Sequence, residues 1–279
     1  GATELAIERF FHVMNAALKI RPANIPAYRD VTNQAKMEIA NTYFLQADYD
    51  KSVNFFQRLE RVNLDRKDRK ESMFKLAYSH YKLEQFEKAQ VKLENYLDDY
   101  PESILAPESY YLLAKIYSRG NQPNKSVQAV QSLLSKTGIQ DAKDQSVWQY
   151  WQKKAANELA NEFYEQRDYM SALKIYQAMW DLDTTAEWRA PIMYQIGLTF
   201  SHLEAPQKAI EIFERIAAGE LWDQEEEPNL YAENQDAELS EDVKTIQELA
   251  QWHARHIAWN MKAQSRMQTL MKADLNDGR

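Results

Sequence analysis

For catalysis or metal binding this chain offers five histidines, 42 acidic residues and no cysteine. His253 and His256 stand three apart, a spacing that sets two imidazoles on one helix face, where they could share a metal. No third ligand falls in register with them, so an ordinary surface pair is expected. Carboxylate pairs are frequent, but each is accounted for by an exposed helix face. The chain contains no G-x-G-x-x-G, no phosphate-binding G-x-x-x-x-G-K, no H-E-x-x-H and no G-x-S-x-G. Without cysteine, disulfides and thiolate metal sites are excluded. No catalytic set, metal or cofactor is therefore expected. A net charge of −8 and a pI near 5.3 argue against nucleic acid as the main partner, because phosphate contacts need a basic surface. No apolar run approaches the ~20 residues that span a bilayer. Trp148 and Trp151 could form a ligand platform; packing between neighbouring elements is the expected role.

The elements that would carry any binding surface are helices. From Lys70 to Pro101, Met73, Leu76 and Ala77 mark one apolar face, Leu83-Glu84-Gln85 interrupts it, and Phe86, Ala89, Leu93 and Tyr96 mark a second. Pro101 ends the run. Two short amphipathic helices joined by a tight turn cannot bury both stripes alone, so neighbours are required. The pattern recurs around Ala40, Ala77, Ala114, Ala160 and Gly197, in steps of 37, 37, 46 and 37. A small residue at that point lets the two helices of a pair cross closely. Pro123 and Pro206 open second helices, where a missing N–H costs nothing. Gly120, Gly138 and Gly219 fall at turns and helix ends, and Asp48 and Asp168 precede second helices as N-caps. The expected fold class is all-α, with about five helix–turn–helix units between residues 26 and 219.

These residues resemble a tetratricopeptide repeat: Leu76-Ala77 within the first helix, Phe86 and Ala89 opening the second, Leu93 beyond, and Pro101 at the end. The resemblance implies an α–α superhelix whose concave face is lined by first helices. Carried over onto this chain, the groove-facing positions are Asn41, Phe44, Phe74, Tyr78, Tyr81, Tyr111, Lys115, Arg119, Asn157, Asn161, Tyr164 and Tyr194. Such a set implies a protein or peptide partner, since tyrosine offers apolar area with a polar tip and asparagine pairs with a peptide backbone. Repeats that clamp a C-terminal carboxylate use lysines where this chain has Met37 and Glu108, so that clamp is not expected, although Asn41 is present. His80 holds a position that repeats fill with an aromatic and is expected to pack. A narrower resemblance lies in Tyr100 to Val127, YPESILAPESYYLLAKIYSRGNQPNKSV, which is similar to bacterial periplasmic repeat proteins of the outer-membrane assembly (BamD-like) and Tol–Pal coordinator type. It implies a scaffold or adaptor in a bacterial envelope complex, periplasmic or outer-membrane-associated, with a cytoplasmic home as the alternative. The lipid-bearing cysteine of such lipoproteins is not in this sequence.

The flanks complete the reading. Thr3 to Ile20 forms a helix with Ala6, Phe10, Val13, Ala17 and Leu18 on its apolar face; residues 1–25 are a cap helix or a half-repeat. Because the sequence opens Gly1-Ala2, a removed leader or a cut array is expected. Asn63 to Arg69 reads as a solvated turn, and Ser103 as the N-cap of the helix holding Pro107. Residues 220–242 are an acidic loop. Ser240 caps a long helix from Val243 to about Met271, within a terminal segment, 243–279, that covers the last unit. Two other functions remain open: a structural component that self-associates through Trp148–Trp151 or the long C-terminal helix, and, more distantly, an α-helical hydrolase.

Overall fold

The computed structural model describes residues 2–19, 24–137, 141–221 and 239–277. Among these residues there is no strand. The helices are α1 (Ala2–Ala17), α2 (Ile25–Leu45), α3 (Tyr49–Leu59), α4 (Arg66–Lys82), α5 (Phe86–Asp99), α6 (Ala106–Arg119), α7 (Pro123–Leu134), α8 (Ala142–Glu165), α9 (Tyr169–Ala178), α10 (Ala186–His202), α11 (Pro206–Ala217) and α12 (Glu241–Asp277). The all-α class and the five helix pairs are as the spacing requires. The chain divides into two compact units: residues 1–129 with 141–148, and residues 130–140 with 149–279.

In the first unit each helix from α1 to α6 packs on the next, and α2 also packs on α4, so these two first helices lie side by side. One core contains Met37, Ala40, Val53, Phe56, Leu59 and Leu76. In the second unit α9, α10, α11 and α12 pack in succession and α10 reaches α12. Its core joins Ala190, Met193, Ala209, Phe213 and Ile216 to Val243, Ala250 and Ala254 of α12, so the C-terminal helix covers the last pair. The five small residues are all buried, Ala40, Ala77, Ala114 and Ala160 completely. Close crossing leaves their carbonyls within reach of the second helix: Ser126 Oγ donates to the Ala114 carbonyl at 2.8 Å.

Each pair turns through one residue in the left-handed region: Ala47, Glu84, Asn121, Arg167 and Glu204, with φ between 53° and 64°. Each stands seven residues after its small residue. In the second pair the Gln85 N–H donates to the His80 carbonyl and the Glu84 N–H to Tyr81, which satisfies carbonyls that the helix end would otherwise leave bare. The same two bonds close the turns at Ala47, Asn121 and Arg167.

Asp48 and Asp168 cap α3 and α9, accepting from the backbone of Lys51 and Ser171 at 3.2 Å. Pro123 and Pro206 open α7 and α11, and Gly219 closes α11 with φ +78°. Four local expectations are corrected. In α1, Ile7 and Ala17 are buried, Ala6, Phe10 and Met14 are half-buried and Phe11 meets Phe55 edge-on, while Val13 and Leu18 are about half exposed. The inner side thus keeps Ala6, Phe10 and Ala17 of the expected face and takes Met14 in place of Val13. Residues 63–69 are not all turn, because Asp65 caps α4 by accepting from Asp68 at 2.8 Å. Ser103 does not cap α6, which starts at Ala106 with no side-chain cap; its buried hydroxyl instead takes the Tyr96 hydroxyl at 2.8 Å. Ser240 precedes α12 and its carbonyl accepts from Lys244, but its hydroxyl has no hydrogen-bond partner among the described residues. Gly138, Ile20 at the end of the expected first helix, and most of the acidic loop, residues 222–238, lie outside the described residues.

Candidate functional site

In the first unit the sequence-derived positions come from α2, α4 and α6, in rows 37 residues apart: Asn41, Tyr78 and Lys115 in one, Phe44 and Tyr81 in the next, Phe74 and Tyr111 in a third. Phe44 and Tyr78 meet with ring centroids 5.4 Å apart, and Tyr49 at the start of α3 closes on both. Phe74 is 5% exposed, its ring set between Tyr78 and Tyr96, so it supplies packing beneath the face. Tyr81 stands edge-on to Phe86, 5.8 Å away, and exposed Arg119 lies 5.2 Å over Phe86. Tyr111 and Lys115 are half-buried and already engaged with neighbours.

Several participants were not anticipated. Lys75 Nζ donates to Asn41 Oδ1 at 2.8 Å, pairs with Glu71, and sits 5.4 Å over the Phe44 ring. Lys82 lies 5.3 Å over Tyr78. Three cations thus rest on aromatic rings along one face, each contact worth about 0.5–1 kcal/mol where exposed. The register held a signal for Lys82, because it occupies the position of Arg119 one unit earlier. Lys75 and its partner lie 34 residues apart and left no comparable mark.

In the second unit Asn157 and Asn161 of α8 are exposed and Tyr164 is half-buried. The Tyr176 hydroxyl, buried beneath, donates to Asn161 Oδ1 at 2.7 Å. Asn41 and Asn161 each already accept one bond inside the fold, and their amide N–H groups remain to donate to a ligand. Tyr164 meets Tyr169 and His202, which stack on each other at 4.5 Å and 3°. Tyr194 of α10 stands against Phe213 and His253. Burial raises the phenol pKa of both Tyr164 and Tyr194, so neither ionises near neutral pH.

The remaining chemistry is modest. His80 is 1% exposed and shares a hydrogen bond with Gln85 Oε1 at 2.9 Å; burial lowers its pKa, which keeps it neutral in the packing role expected of it. His253 stacks on Phe213 at 5.1 Å, and burial and then the His256 charge lower its pKa. His256 stacks on Trp252 instead. Among the described residues no group of three potential ligands could hold a metal. A cleft of about 510 Å³ beside α3 and α5 includes Glu60 and Glu87, but Glu60 is committed to Lys92. Trp148 is 2% exposed, half-buried Trp151 packs on Tyr150, and Lys154 lies 4.9 Å over Trp151. No described helix is long and apolar enough to cross a membrane.

Residues 71–103, the α4–α5 pair, match the family model for the tetratricopeptide repeat. A comparison with curated proteins finds no match. Similar solved structures include BtubC (BKLC) from P. vanneervenii, 15% identical over 86% of this chain and 95% of that one, with a TM-score of 0.43. The apo form of the quorum sensor NprR from B. thuringiensis is 15% identical over 86% and 68%, with a TM-score of 0.43. A putative kinesin light chain from Podosopora anserina is 14% identical over 73% and 97%, with a TM-score of 0.41. These are distant likenesses. The repeat match, the recurring pairs and the all-α fold together support a protein of tetratricopeptide type.

Proposed function

We propose that the chain is a non-enzymatic scaffold that holds a protein or peptide segment on the first-helix face of its first unit. The observation that carries this reading is the run of Phe44, Tyr78 and Tyr81 on α2 and α4, overlaid by Lys75 and Lys82. Tyrosine in a fixed setting presents a large amphipathic surface and loses little conformational entropy on binding. The helices beneath are mutually packed, so the face is set before a ligand arrives and the cost of organising it is already met. Asn157, Asn161, Tyr164 and Tyr194 form a second candidate face in the other unit. Nucleic acid fits poorly with a net charge of −8.

We assign the scaffold to a bacterial envelope complex, periplasmic or outer-membrane-associated. The support is the likeness of Tyr100 to Val127 to envelope repeat proteins of the BamD and Tol–Pal coordinator style. The test is capture from native envelope extract by the wild-type chain and by Tyr78→Ala/Tyr111→Ala, with helicity compared by circular dichroism. The reading expects a stoichiometric partner held by the wild type and lost by the variant at unchanged helicity. Identical capture by both overturns the assignment of the face, and a partner found only in cytoplasmic extract overturns the compartment.

A further inference from the structure

The C-terminal helix carries two apolar flanks, and among the described residues only one of them is packed. α12 is 37 residues long, about 55 Å. Val243, Ile246, Ala250, Ala254 and Ile257 turn one flank into the core of α10 and α11. Beyond Met261 that flank becomes polar, with Gln264 and Gln268 next in register. At 100° per residue the opposite flank holds Leu249, Trp252, His256, Trp259, Ala263 and Leu270, in steps of 3, 4, 3, 4 and 7. That is the alternation of a coiled-coil seam. Leu249, Trp252, Trp259 and Leu270 are 44, 57, 66 and 59% exposed. From Gln264 to Lys272 every residue is exposed. Helices owe most of their stability in water to tertiary packing, and among the described residues this stretch has little.

We propose that a second copy of this chain covers that flank, with the two α12 helices paired antiparallel. Charge selects the partner and the direction. Residues 241–248 carry Glu241, Asp242 and Glu248 against one base, Lys244, whereas 255–272 carry Arg255, Lys262, Arg266 and Lys272 and no acid. Antiparallel pairing sets the acidic end against the basic stretch; parallel pairing sets base on base. In the register that achieves this, Trp252 of one copy faces Ala263 of the other and His256 faces Trp259, large against small and ring against ring. Leu249 lies on the aliphatic stem of Arg266, whose guanidinium reaches Glu248 of the other copy. A tryptophan buries about 150–250 Å² in full, and two per copy fall short of the ~800 Å² per partner of a standard interface. The dimer is accordingly a micromolar one that loosens in high salt.

Sedimentation of the full chain from low to high micromolar concentration tests this. The mass is expected to rise from 32.7 kDa toward twice that value, and Trp259→Glu is expected to hold it at the monomer with helicity unchanged. A monomer at every concentration, or a dimer indifferent to Trp259→Glu, overturns the proposal. The chain has no cysteine of its own, so direction can be read by mild oxidation of Thr245→Cys and Leu270→Cys chains. Mixed chains are expected to cross-link and neither alone, because like positions stand about 38 Å apart in the antiparallel pair. Cross-linking of each variant with itself overturns the antiparallel arrangement.

Discussion

Replacing Gly197 by alanine tests the claim that helix pairs are set by a small residue at their crossing. A Cβ on Gly197 would lie 2.7 and 2.8 Å from two carbons of the Phe213 ring. Carbon atoms pack at about 3.5–4.0 Å, so roughly 0.8 Å must be found. The ring has little freedom to yield, being fully buried, stacked on His253 and met edge-on by Tyr194. Overpacking of this kind costs about 1–3 kcal/mol, while alanine over glycine in a helix gains about 1 kcal/mol. The net expectation is a loss of about 1 kcal/mol, read as a lower urea midpoint at unchanged slope. The register supplies the compensating change. Sixteen residues after the small position stand Phe56, Leu93, Val130, Tyr176 and Phe213; the second pair combines Ala77 with Leu93, both fully buried, while Ala40 with Phe56 and Ala160 with Tyr176 show that alanine and a ring can share a crossing where the ring is differently set. In a Phe213→Leu background Gly197→Ala should therefore become neutral or stabilising. Equal costs in both backgrounds would refute steric crowding by the ring, and a more stable single variant would refute the rigidity assumed for it.

Three further outcomes follow from the structure. Glu84→Gly should raise stability by about 0.5–1 kcal/mol, because Glu84 holds φ 56° where a side chain is strained, and Asn121→Gly should gain less, since asparagine tolerates that region. Asp183→Asn should cost about 1–2 kcal/mol at neutral pH, measured by thermal unfolding. Burial raises the Asp183 pKa, but the 2.5 Å bond from Lys153 and the Thr185 N–H outweigh it and bring it to about 2. Its contribution is nearly complete above about pH 4 and is lost as pH falls through about 2, below which variant and wild type should converge. Ser126→Ala should cost about 1 kcal/mol by leaving the buried Ala114 carbonyl without its side-chain donor.

The pairs were legible because packing repeats: five small residues at matched spacing all lie buried, and the pairs they mark begin and end close to where proline, aspartate and glycine place them. The left-handed turns were not legible as such. None of the five residues is glycine, and only Asn121 has a side chain suited to that region. At four of them the conformation is held by two backbone hydrogen bonds across the helix end, which residue type hardly reports. The candidate face was legible as rows but not as bonds. Asn41 and Asn161 read as free amides until Lys75 and Tyr176 are seen to hold their oxygens, and those partners lie 34 and 15 residues away.

The same turns explain where the aromatic faces fall. The left-handed residue folds the first residue of the second helix back against a residue five earlier in the first helix. In three pairs both are aromatic: Phe44 with Tyr49, Tyr81 with Phe86 and Tyr164 with Tyr169, each edge-on with centroids 5.4–5.9 Å apart. In the other two the positions hold Ser118 with Pro123 and Ser201 with Pro206, where proline fixes φ at the start of the second helix. A turn is thus closed either by a ring pair, worth about 0.5–1.5 kcal/mol, or by a restricted backbone. Only the ring pair leaves an aromatic edge beside the first-helix face, and the proposed binding faces at α2 and α4 in one unit and at α8 in the other coincide with such pairs. It follows that Tyr81→Ala would loosen its own turn as well as any ligand, whereas Tyr78 closes no turn of its own and packs on Phe44, Tyr49 and Phe74, so the effect of its replacement on binding is read against a parallel measurement of stability.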